Sequence, residues 1–278
     1  MFRLDERLGL NFLNLPFVSG AKAVALDVAY GVEPRHRLDV YAPAAASSAP
    51  VVIFLHGGGW ETGAKEDDRF VMGGLVGRGF VAITLNYGLY PAVRYPVFLE
   101  DAAMAVAWAK DHARGFGGDP ARVVLLGHSA GAYIAAMLSL DVRWLGGVGL
   151  DPASDIAAAI GLAGPYDFLP LRSPSLKAIF GPPESWPQTQ PMAYVTGKRP
   201  FMLLATGDND DAVDPANTSR LVNKIRQSGG GVQTIVYPGL SHRGILAALA
   251  WPLRFLAPVL DDIAGFVARR CPPTSDQP

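Results

Sequence analysis

Short apolar runs recur along the chain from residue 51 onward. They are VVIFL (51–55), VAITLN (81–86), VVLLG (123–127), AAIGLA (158–163), FMLLAT (201–206) and VQTIVY (232–237). Runs of this length and composition are typical of strands that are buried on both faces of a parallel sheet. Helical patterns lie between them. The clearest is FLEDAAMAVAWAKDHA (98–113), which carries acids in its first turn and Lys110 and His112 in its last, as the helix dipole favours.

A different pattern precedes these runs. Segments 25–31 (ALDVAYG) and 37–43 (RLDVYAP) alternate apolar and polar positions around a turn, which predicts an antiparallel hairpin. Together the patterns predict an α/β fold: a mostly parallel, doubly wound sheet with the hairpin at one edge. We expect one domain over residues 25–270, an N-terminal extension over 1–24 and a flexible tail over 271–278. The proline-rich segment 164–200 is expected to fold over one end of the sheet as a short cap.

Composition narrows the set of partners. The 278 residues are 50% hydrophobic and carry a formal net charge of −1, so one large core is expected and no basic face for nucleic acid. The single cysteine excludes an internal disulfide. No apolar run reaches the roughly 20 residues of a membrane span, and charged residues interrupt the N-terminal segment where a secretory signal would be apolar. We therefore expect a cytoplasmic location and a small-molecule substrate, while the oligomeric state stays open.

One serine follows the carboxyl end of a predicted parallel strand, where open α/β sheets gather their functional residues. Ser129 lies between the run VVLLG and the helical pattern AGAYIAAMLSL, within Gly127-His128-Ser129-Ala130-Gly131. Alone, G-x-S-x-G is also compatible with a structural turn. In a strand-turn-helix context it is the nucleophile elbow of α/β-hydrolases. Its glycines avoid collisions between the tight turn and the neighbouring strand and helix.

A glycine-rich loop, HGGGW (56–60), follows the first of the six runs. It could be only a flexible turn, but acyl transfer requires backbone N–H groups that stabilise a developing oxyanion. We assign this role to Gly58 and Gly59, together with the N–H of Ala130. His56 is then expected to fix the loop by hydrogen bonding rather than to act as a catalyst.

A base and an acid complete the predicted catalytic set. His242 lies in PGLSHRG, a predicted loop after the last run, and is the candidate base. The segment GDNDDAVD (207–214) offers four aspartates, but it lacks the residue spacing of a calcium loop. Asp210 is the chosen acid and Asp211 the reserve. The order Ser129, Asp210, His242 is that of α/β-hydrolases.

Several motifs carry a resemblance to a known group of enzymes. HGGGW, LNYGLYP (85–91), FGGDPARVVLLGHSAG (116–131), GDNDDAV (207–213) and SHRG (241–244) resemble the esterase and lipase group of α/β-hydrolases, and in particular its feruloyl-esterase-like and kynurenine-formamidase-like branch. The resemblance implies the α/β-hydrolase fold and a catalytic aspartate three residues after Gly207, which is Asp210. Many relatives read YRL at the positions of Tyr87-Gly88-Leu89, so a structural arginine is missing here.

These observations predict a serine hydrolase that cleaves small carboxylic esters through an acyl-enzyme on Ser129, without metal or cofactor. The aromatic residues expected to line the substrate pocket are Trp60, Tyr133, Phe168 and Phe180. Because segment 164–200 is short, we expect short acyl chains to be preferred. Two alternatives stay open: an aryl formamidase that uses the same three residues, and a non-catalytic α/β-hydrolase that only binds its ligand.

Overall fold

The computed structural model describes residues 12–15, 22–197 and 199–272. Within these ranges eight strands form one sheet in the order β1-β2-β4-β3-β5-β6-β7-β8. The strands are β1 (Ala23–Ala29), β2 (Arg37–Tyr41), β3 (Ala49–Leu55), β4 (Val81–Leu85), β5 (Gly118–His128), β6 (Ala158–Leu162), β7 (Phe201–Gly207) and β8 (Val232–Tyr237). Apart from residues 12–15, 22–24, 271 and 272, the predicted N-terminal extension and flexible tail lie outside the described residues.

Helices connect the strands and cover both faces of the sheet. The α-helices are α1 (Arg69–Val76), α2 (Val97–His112), α3 (Ala130–Leu140), α4 (Val142–Gly146), α5 (Pro152–Asp155), α6 (Pro174–Phe180), α7 (Ala216–Gln227), α8 (His242–Ala247) and α9 (Val259–Arg270). Short 3-10 helices span Ala113–Phe116, Pro183–Thr189, Pro191–Tyr194 and Trp251–Leu256. No helix in the described ranges combines the length and the apolar character needed to cross a bilayer.

The pairing of the strands confirms the predicted topology. The hairpin strands β1 and β2 pair antiparallel, and β2 pairs antiparallel with β4. From β4 to β8 every neighbouring pair is parallel. The sheet is therefore mostly parallel and doubly wound, with an antiparallel hairpin at one edge.

Alternation along the central strand divides the core into two layers. On β3, Val51, Ile53 and Leu55 face a cluster that includes residues of α2 and α3. Val52 and Phe54 face the opposite cluster, which includes residues of α1 and α9. All five side chains are fully buried, as expected for a strand whose two faces are both covered by helices. This double burial explains why the strand sequences read as continuous apolar runs.

At Gly88, the position at which many relatives have an arginine, polar contacts come from α2 and from the hairpin turn. The backbone N–H of Gly88 donates to Asp101 Oδ2 at 2.7 Å, and His36 Nε2 lies 3.0 Å from Asp101 Oδ1. Arg35 donates through Nε to the carbonyl oxygen of Tyr87 at 2.8 Å. The turn between β1 and β2, together with Asp101 of α2, therefore supplies the polar contacts that hold the Tyr87-Gly88 segment in place.

Candidate active site

Ser129 occupies a strained turn between β5 and α3. Its backbone has φ 55° and ψ −121°, a region that non-glycine residues adopt only where the surrounding structure enforces it. The N–H of Ser129 donates to Leu162 O at 2.9 Å, which ties the turn to β6. A Cβ atom on Gly127 would overlap the carbonyl of Gly131, and one on Gly131 would overlap the carbonyl of Leu55. Both glycines are therefore required by the close packing, as the motif predicted.

His242 links the serine to a buried carboxylate. Its Nε2 lies 2.9 Å from Ser129 Oγ, and its Nδ1 lies 2.9 Å from Asp210 Oδ2. A carboxylate accepts hydrogen bonds, so it selects the tautomer with the proton on Nδ1 and leaves Nε2 free to accept from the serine hydroxyl. The second oxygen, Asp210 Oδ1, accepts from the N–H groups of Ala212 at 3.0 Å and Val213 at 2.8 Å. The Asp210 side chain, which is 0% exposed, is thus held in one orientation.

Asp211, the reserve candidate for the acid, is exposed. Among the hydrogen bonds of the described residues, none joins its carboxylate to His242. The structure therefore brings Asp210, and not Asp211, to the imidazole.

The local structure around His242 differs from the predicted loop. His242 is the first residue of α8, and Ser241 caps that helix by accepting from Gly244 N at 3.1 Å. A serine before a helical segment is a recognised N-cap signal. Together with the apolar residues that follow His242, this signal could have predicted the helix.

His128 contacts both the backbone and the ring of His242. Its Nε2 lies 2.9 Å from His242 O, and the two ring centroids are 4.8 Å apart. Burial, with a smaller contribution from the nearby His242, lowers the pKa of His128 to about 3. The ring is therefore neutral near pH 7, with its single proton on Nε2 as the donor to that carbonyl. No pattern in the sequence indicates this contact between His128 and His242.

The HGGGW loop presents free backbone donors beside the serine. Gly58 has φ 114° and Gly59 φ 61°, conformations that glycine adopts without strain. The carbonyl of Gly58 accepts from Glu61 N at 3.1 Å and Thr62 N at 3.0 Å, closing the turn. No hydrogen bond of the described residues uses the N–H of Gly58 or Gly59. Ala130 opens α3, so its N–H also lacks an acceptor within the helix.

His56 holds this loop through three contacts. Its Nδ1 lies 2.7 Å from Gly57 O, its ring stacks on Tyr87 with centroids 4.2 Å apart, and its own carbonyl accepts from the Tyr87 hydroxyl at 2.8 Å. Burial lowers the pKa of His56 to about 4. The neutral ring donates through Nδ1, as expected of a loop-fixing residue. Its other nitrogen, Nε2, is buried and has no hydrogen-bond partner among the described residues.

A cavity of about 1320 Å³ opens over Ser129 and His242. Four wall segments come from parts of the chain that the sequence analysis assigned to the site or the cap, namely 56–60, 128–130, 165–176 and 212–214. Other walls were not predicted. They include Phe12, Leu13, Phe70, the end of α8 and the residues Pro252 and Leu253. The cavity is therefore larger than the short segment 164–200 alone would allow.

The four predicted pocket aromatics divide into two pairs. Trp60 and Phe168 line the cavity. Tyr133 and Phe180 do not line it but pack behind Trp60, with ring centroids 5.1 Å and 4.9 Å from the indole. The Tyr133 hydroxyl donates to the carbonyl of Thr189 at 2.6 Å. These two residues belong to the aromatic core. The sequence could not distinguish them from pocket residues, because the identity of a side chain does not reveal which neighbour covers it.

Asp68 is a cavity residue that the sequence analysis missed. It is 4% exposed, lines the cavity and precedes α1 without capping that helix through its side chain. No hydrogen bond of the described residues satisfies its carboxyl group. Burial, with a smaller contribution from the charge of Asp67, raises the pKa of Asp68 to about 8. Its only sequence signal was a run of three acids, residues 66–68, before an apolar segment, which is typical of an exposed helix start.

We expect Asp68→Asn to stabilise the protein in a pH-dependent way. The folded state keeps a proton on Asp68 that the unfolded chain releases above about pH 4, so ionisation weakens the fold as the pH rises from about 4 to about 8. The amide cannot ionise. The gain in unfolding free energy should grow by up to about 1.4 kcal/mol per pH unit across this window, reach several kcal/mol at about pH 8, and vanish at about pH 4 in urea titrations. An equal difference at both pH values, or the same gain from the exposed-carboxyl control Asp214→Asn, would contradict this expectation.

Comparison with known families decides the affiliation of the chain. Residues 38–225 match the family model described as BD-FAE, from β2 to the end of α7. The chain belongs to the BD-FAE family. The matched region contains Ser129, Asp210 and the HGGGW loop, whereas His242 lies beyond it.

Curated relatives of this BD-FAE member are named as esterases. It is 28% identical to a probable isoprenylcysteine alpha-carbonyl methylesterase of Oryza sativa subsp. japonica, over 91% of this chain and 65% of the relative. It is 26% identical to esterase LipQ of Mycobacterium tuberculosis, over 95% of this chain and 68% of that protein. The chain spans 65%, 59% and 51% of the lengths of three plant methylesterases.

Solved structures show that the fold of this BD-FAE member is that of α/β-hydrolases. A truncated carbohydrate esterase from gut microbiota superposes with a TM-score of 0.77 at 20% identity, covering 88% of this chain and 95% of that one. Esterase 2 of Thermogutta terrifontis, in the form phosphorylated by paraoxon, superposes with a TM-score of 0.71 at 22% identity, covering 90% and 94%.

Proposed function

We propose that this BD-FAE member is a serine carboxylesterase with Ser129 as nucleophile, His242 as general base and Asp210 as the acid that orients the base. The observation that carries the proposal is the continuous hydrogen-bonded series Ser129 Oγ, His242 Nε2, His242 Nδ1 and Asp210 Oδ2, with 2.9 Å at each contact between side chains. These distances suit proton transfer from the serine to the imidazole. The names of the relatives, which are esterases and methylesterases, support the same reaction class.

The reaction begins when Ser129 Oγ attacks the ester carbonyl and passes its proton to His242 Nε2. Asp210 stabilises the imidazolium without taking its proton. Collapse of the tetrahedral intermediate breaks the ester C–O bond, and His242 gives its proton to the departing alkoxide, so that an alcohol leaves. Water then attacks the acyl-enzyme with His242 again as base, which releases the acid and restores Ser129.

The backbone donors around Ser129 supply the electrostatic part of this proposal. Negative charge collects on the carbonyl oxygen in both tetrahedral intermediates. The N–H groups of Gly58, Gly59 and Ala130, which have no acceptor among the described residues, are assigned as its hydrogen-bond donors. The location of Ala130 at the start of α3 adds the positive end of a helix dipole.

The cavity favours a substrate with a sizeable apolar portion. Phe12, Leu13, Phe70, Leu246 and Leu253 are among its lining residues. A volume of about 1320 Å³ exceeds the space that a short acyl group occupies. We therefore expect the cavity to accept long acyl chains as well as the short ones that the sequence led us to expect. A cytoplasmic location stays a prediction.

A substrate panel tests the proposed function. We expect alkyl esters with acyl chains of about four and about ten carbons to be cleaved with kcat/KM values within roughly 10-fold of each other, because the cavity restricts neither. Both should exceed the value for an N-formyl arylamine, since an ester has the better leaving group. A preference of about 100-fold for the formamide would overturn the esterase proposal in favour of an aryl formamidase. Absence of turnover on every compound would favour a binding protein.

A further inference from the structure

Residues 12–15 form a single turn that is attached to the start of α1 by one side chain. A backbone hydrogen bond of 3.2 Å closes the turn. The Asn14 amide nitrogen donates to the carbonyls of Glu66 at 3.1 Å and Asp67 at 2.8 Å, and its amide oxygen accepts from Phe70 N at 3.0 Å. Both amide hydrogens and the amide oxygen therefore have partners, and all of these partners are backbone groups distant in sequence.

This attachment makes the 12–15 turn part of the cavity wall. Phe12 and Leu13 line the same cavity as Ser129 and His242. Leu13 is half-buried and packs against the core cluster that contains Phe70, so packing holds it in place. Phe12 remains 55% exposed. An apolar group bound in the cavity would remove part of this phenylalanine surface from water, which is favourable.

The wall that includes the turn extends from the catalytic base. Leu246 lies four residues after His242 on α8, so the two side chains share a face of that helix. Leu246 lines the cavity and packs against the same core cluster as Leu13. Trp60 and Phe168 line the cavity too, but they pack with the cluster on the opposite face of the sheet.

The cavity thus has two apolar walls, which come from the two layers of the core. An ester bound at Ser129 likewise has two substituents, its acyl chain and its alcohol. Each wall can receive one of them. The substituent that extends along the wall from Leu246 reaches the 12–15 turn once its chain is long enough.

We propose that Phe12 is a specificity-determining residue that binds one hydrocarbon chain of the ester substrate, and that Asn14 is the positioning residue that holds Phe12 at the cavity wall. This inference rests on the proposed esterase function and deepens it to esters with a long apolar chain. Each methylene group buried against the protein favours binding by roughly 4-fold. Without Asn14 the turn loses the hydrogen bonds that attach it to α1, and the phenylalanine loses its fixed place.

Two chain-length comparisons test the role of Phe12. Ethyl butyrate is the common reference. Ethyl decanoate lengthens the acyl chain and octyl butyrate lengthens the alcohol, each used below its critical micelle concentration so that the substrate is monomeric. In Phe12→Ala, kcat/KM relative to ethyl butyrate should fall by about 10-fold for one of the two long esters, which is the effect of about two buried methylene groups. The ester that responds identifies the chain that is bound.

Leu15→Ala is the matched control for Phe12→Ala. Leu15 belongs to the same turn and is 38% exposed, but it lies outside the described lining of the cavity. Its truncation should leave both ratios within about 2-fold of wild type. Unchanged ratios in Phe12→Ala, or an equal fall in Leu15→Ala, would overturn the assignment of Phe12.

Asn14→Ala tests the positioning role. It should lower the same ratio by about 5-fold, through a higher KM for the long ester with kcat nearly unchanged, because the lost contact is one of binding. In the double variant the ratio should stay within about 2-fold of Phe12→Ala alone, since Asn14 acts through Phe12. Losses that multiply in the double variant would overturn this role. If Asn14→Ala no longer reacts with paraoxon, Asn14→Ser is measured in its place.

These measurements separate failure of the subsite from failure of the proposed function. A protein that cleaves ethyl butyrate and keeps both ratios in Phe12→Ala is an esterase without this subsite. A wild-type protein that cleaves no ester and does not react with paraoxon at Ser129 contradicts the esterase proposal, and the subsite with it.

Discussion

Replacement of Ser129 by alanine should lower kcat/KM for alkyl esters by a factor of at least about 10⁴. The hydroxyl is the atom that forms the acyl-enzyme, and no other nucleophile would occupy the position 2.9 Å from His242 Nε2 in the described structure. The fold should persist. The Ser129 backbone donates to Leu162 O and accepts from Tyr133 N, and alanine keeps both bonds. We expect the free energy of unfolding to change by less than about 1 kcal/mol.

Ser139→Ala is the matched control for this substitution. Ser139 lies on the same helix, α3, is fully buried, and donates through Oγ to Ala135 O at 2.7 Å. Loss of that bond should reduce stability slightly and leave kcat/KM within about 2-fold of wild type. Activity of Ser129→Ala above about 1% of wild type, measured on freshly purified protein, would refute the assignment of the nucleophile.

Asp210→Asn should lower kcat by about 10⁴-fold without unfolding the protein. The asparagine oxygen can still accept from Ala212 N and Val213 N, as Asp210 Oδ1 does. Its amide then faces His242 Nδ1 and donates to it. This contact favours the imidazole tautomer with the proton on Nε2, which cannot accept a proton from Ser129.

Asp211→Asn provides the comparison, because Asp211 is adjacent in sequence and exposed. This variant should keep kcat within about 3-fold of wild type, as expected for a substitution on the surface. Steady-state kinetics and thermal unfolding of the two variants form one experiment. A larger loss of kcat in Asp211→Asn than in Asp210→Asn would mean that the neighbouring carboxylate is the acid.

The central strands could be predicted because they are buried on both faces. Apolar runs such as VVIFL and VVLLG mark strands β3 and β5, and the alternating segments before them mark the hairpin. The turn at Ser129 could be predicted because its two glycines are dictated by close backbone contacts. These features depend on local sequence, and local patterns reveal them.

The walls of the cavity could not be predicted in the same way. Phe12, Phe70 and Leu253 line the same cavity although they are far apart in sequence, and their apolar side chains resemble core residues. Asp68 resembles an ordinary acid before a helix until its burial is known. Conversely, Tyr133 and Phe180 have the character of pocket aromatics but are covered by their neighbours. Tertiary packing decides these roles, and the sequence pattern does not encode it locally.

Mass spectrometry after reaction with paraoxon tests the central claim most directly. A serine activated by His242 should take up one diethylphosphoryl group per chain, with loss of all esterase activity. Peptide mapping should place the group on Ser129, and Ser129→Ala should remain unlabelled under the same conditions. Labelling of a different residue, or full labelling of Ser129→Ala, would contradict the account of Ser129 as the nucleophile.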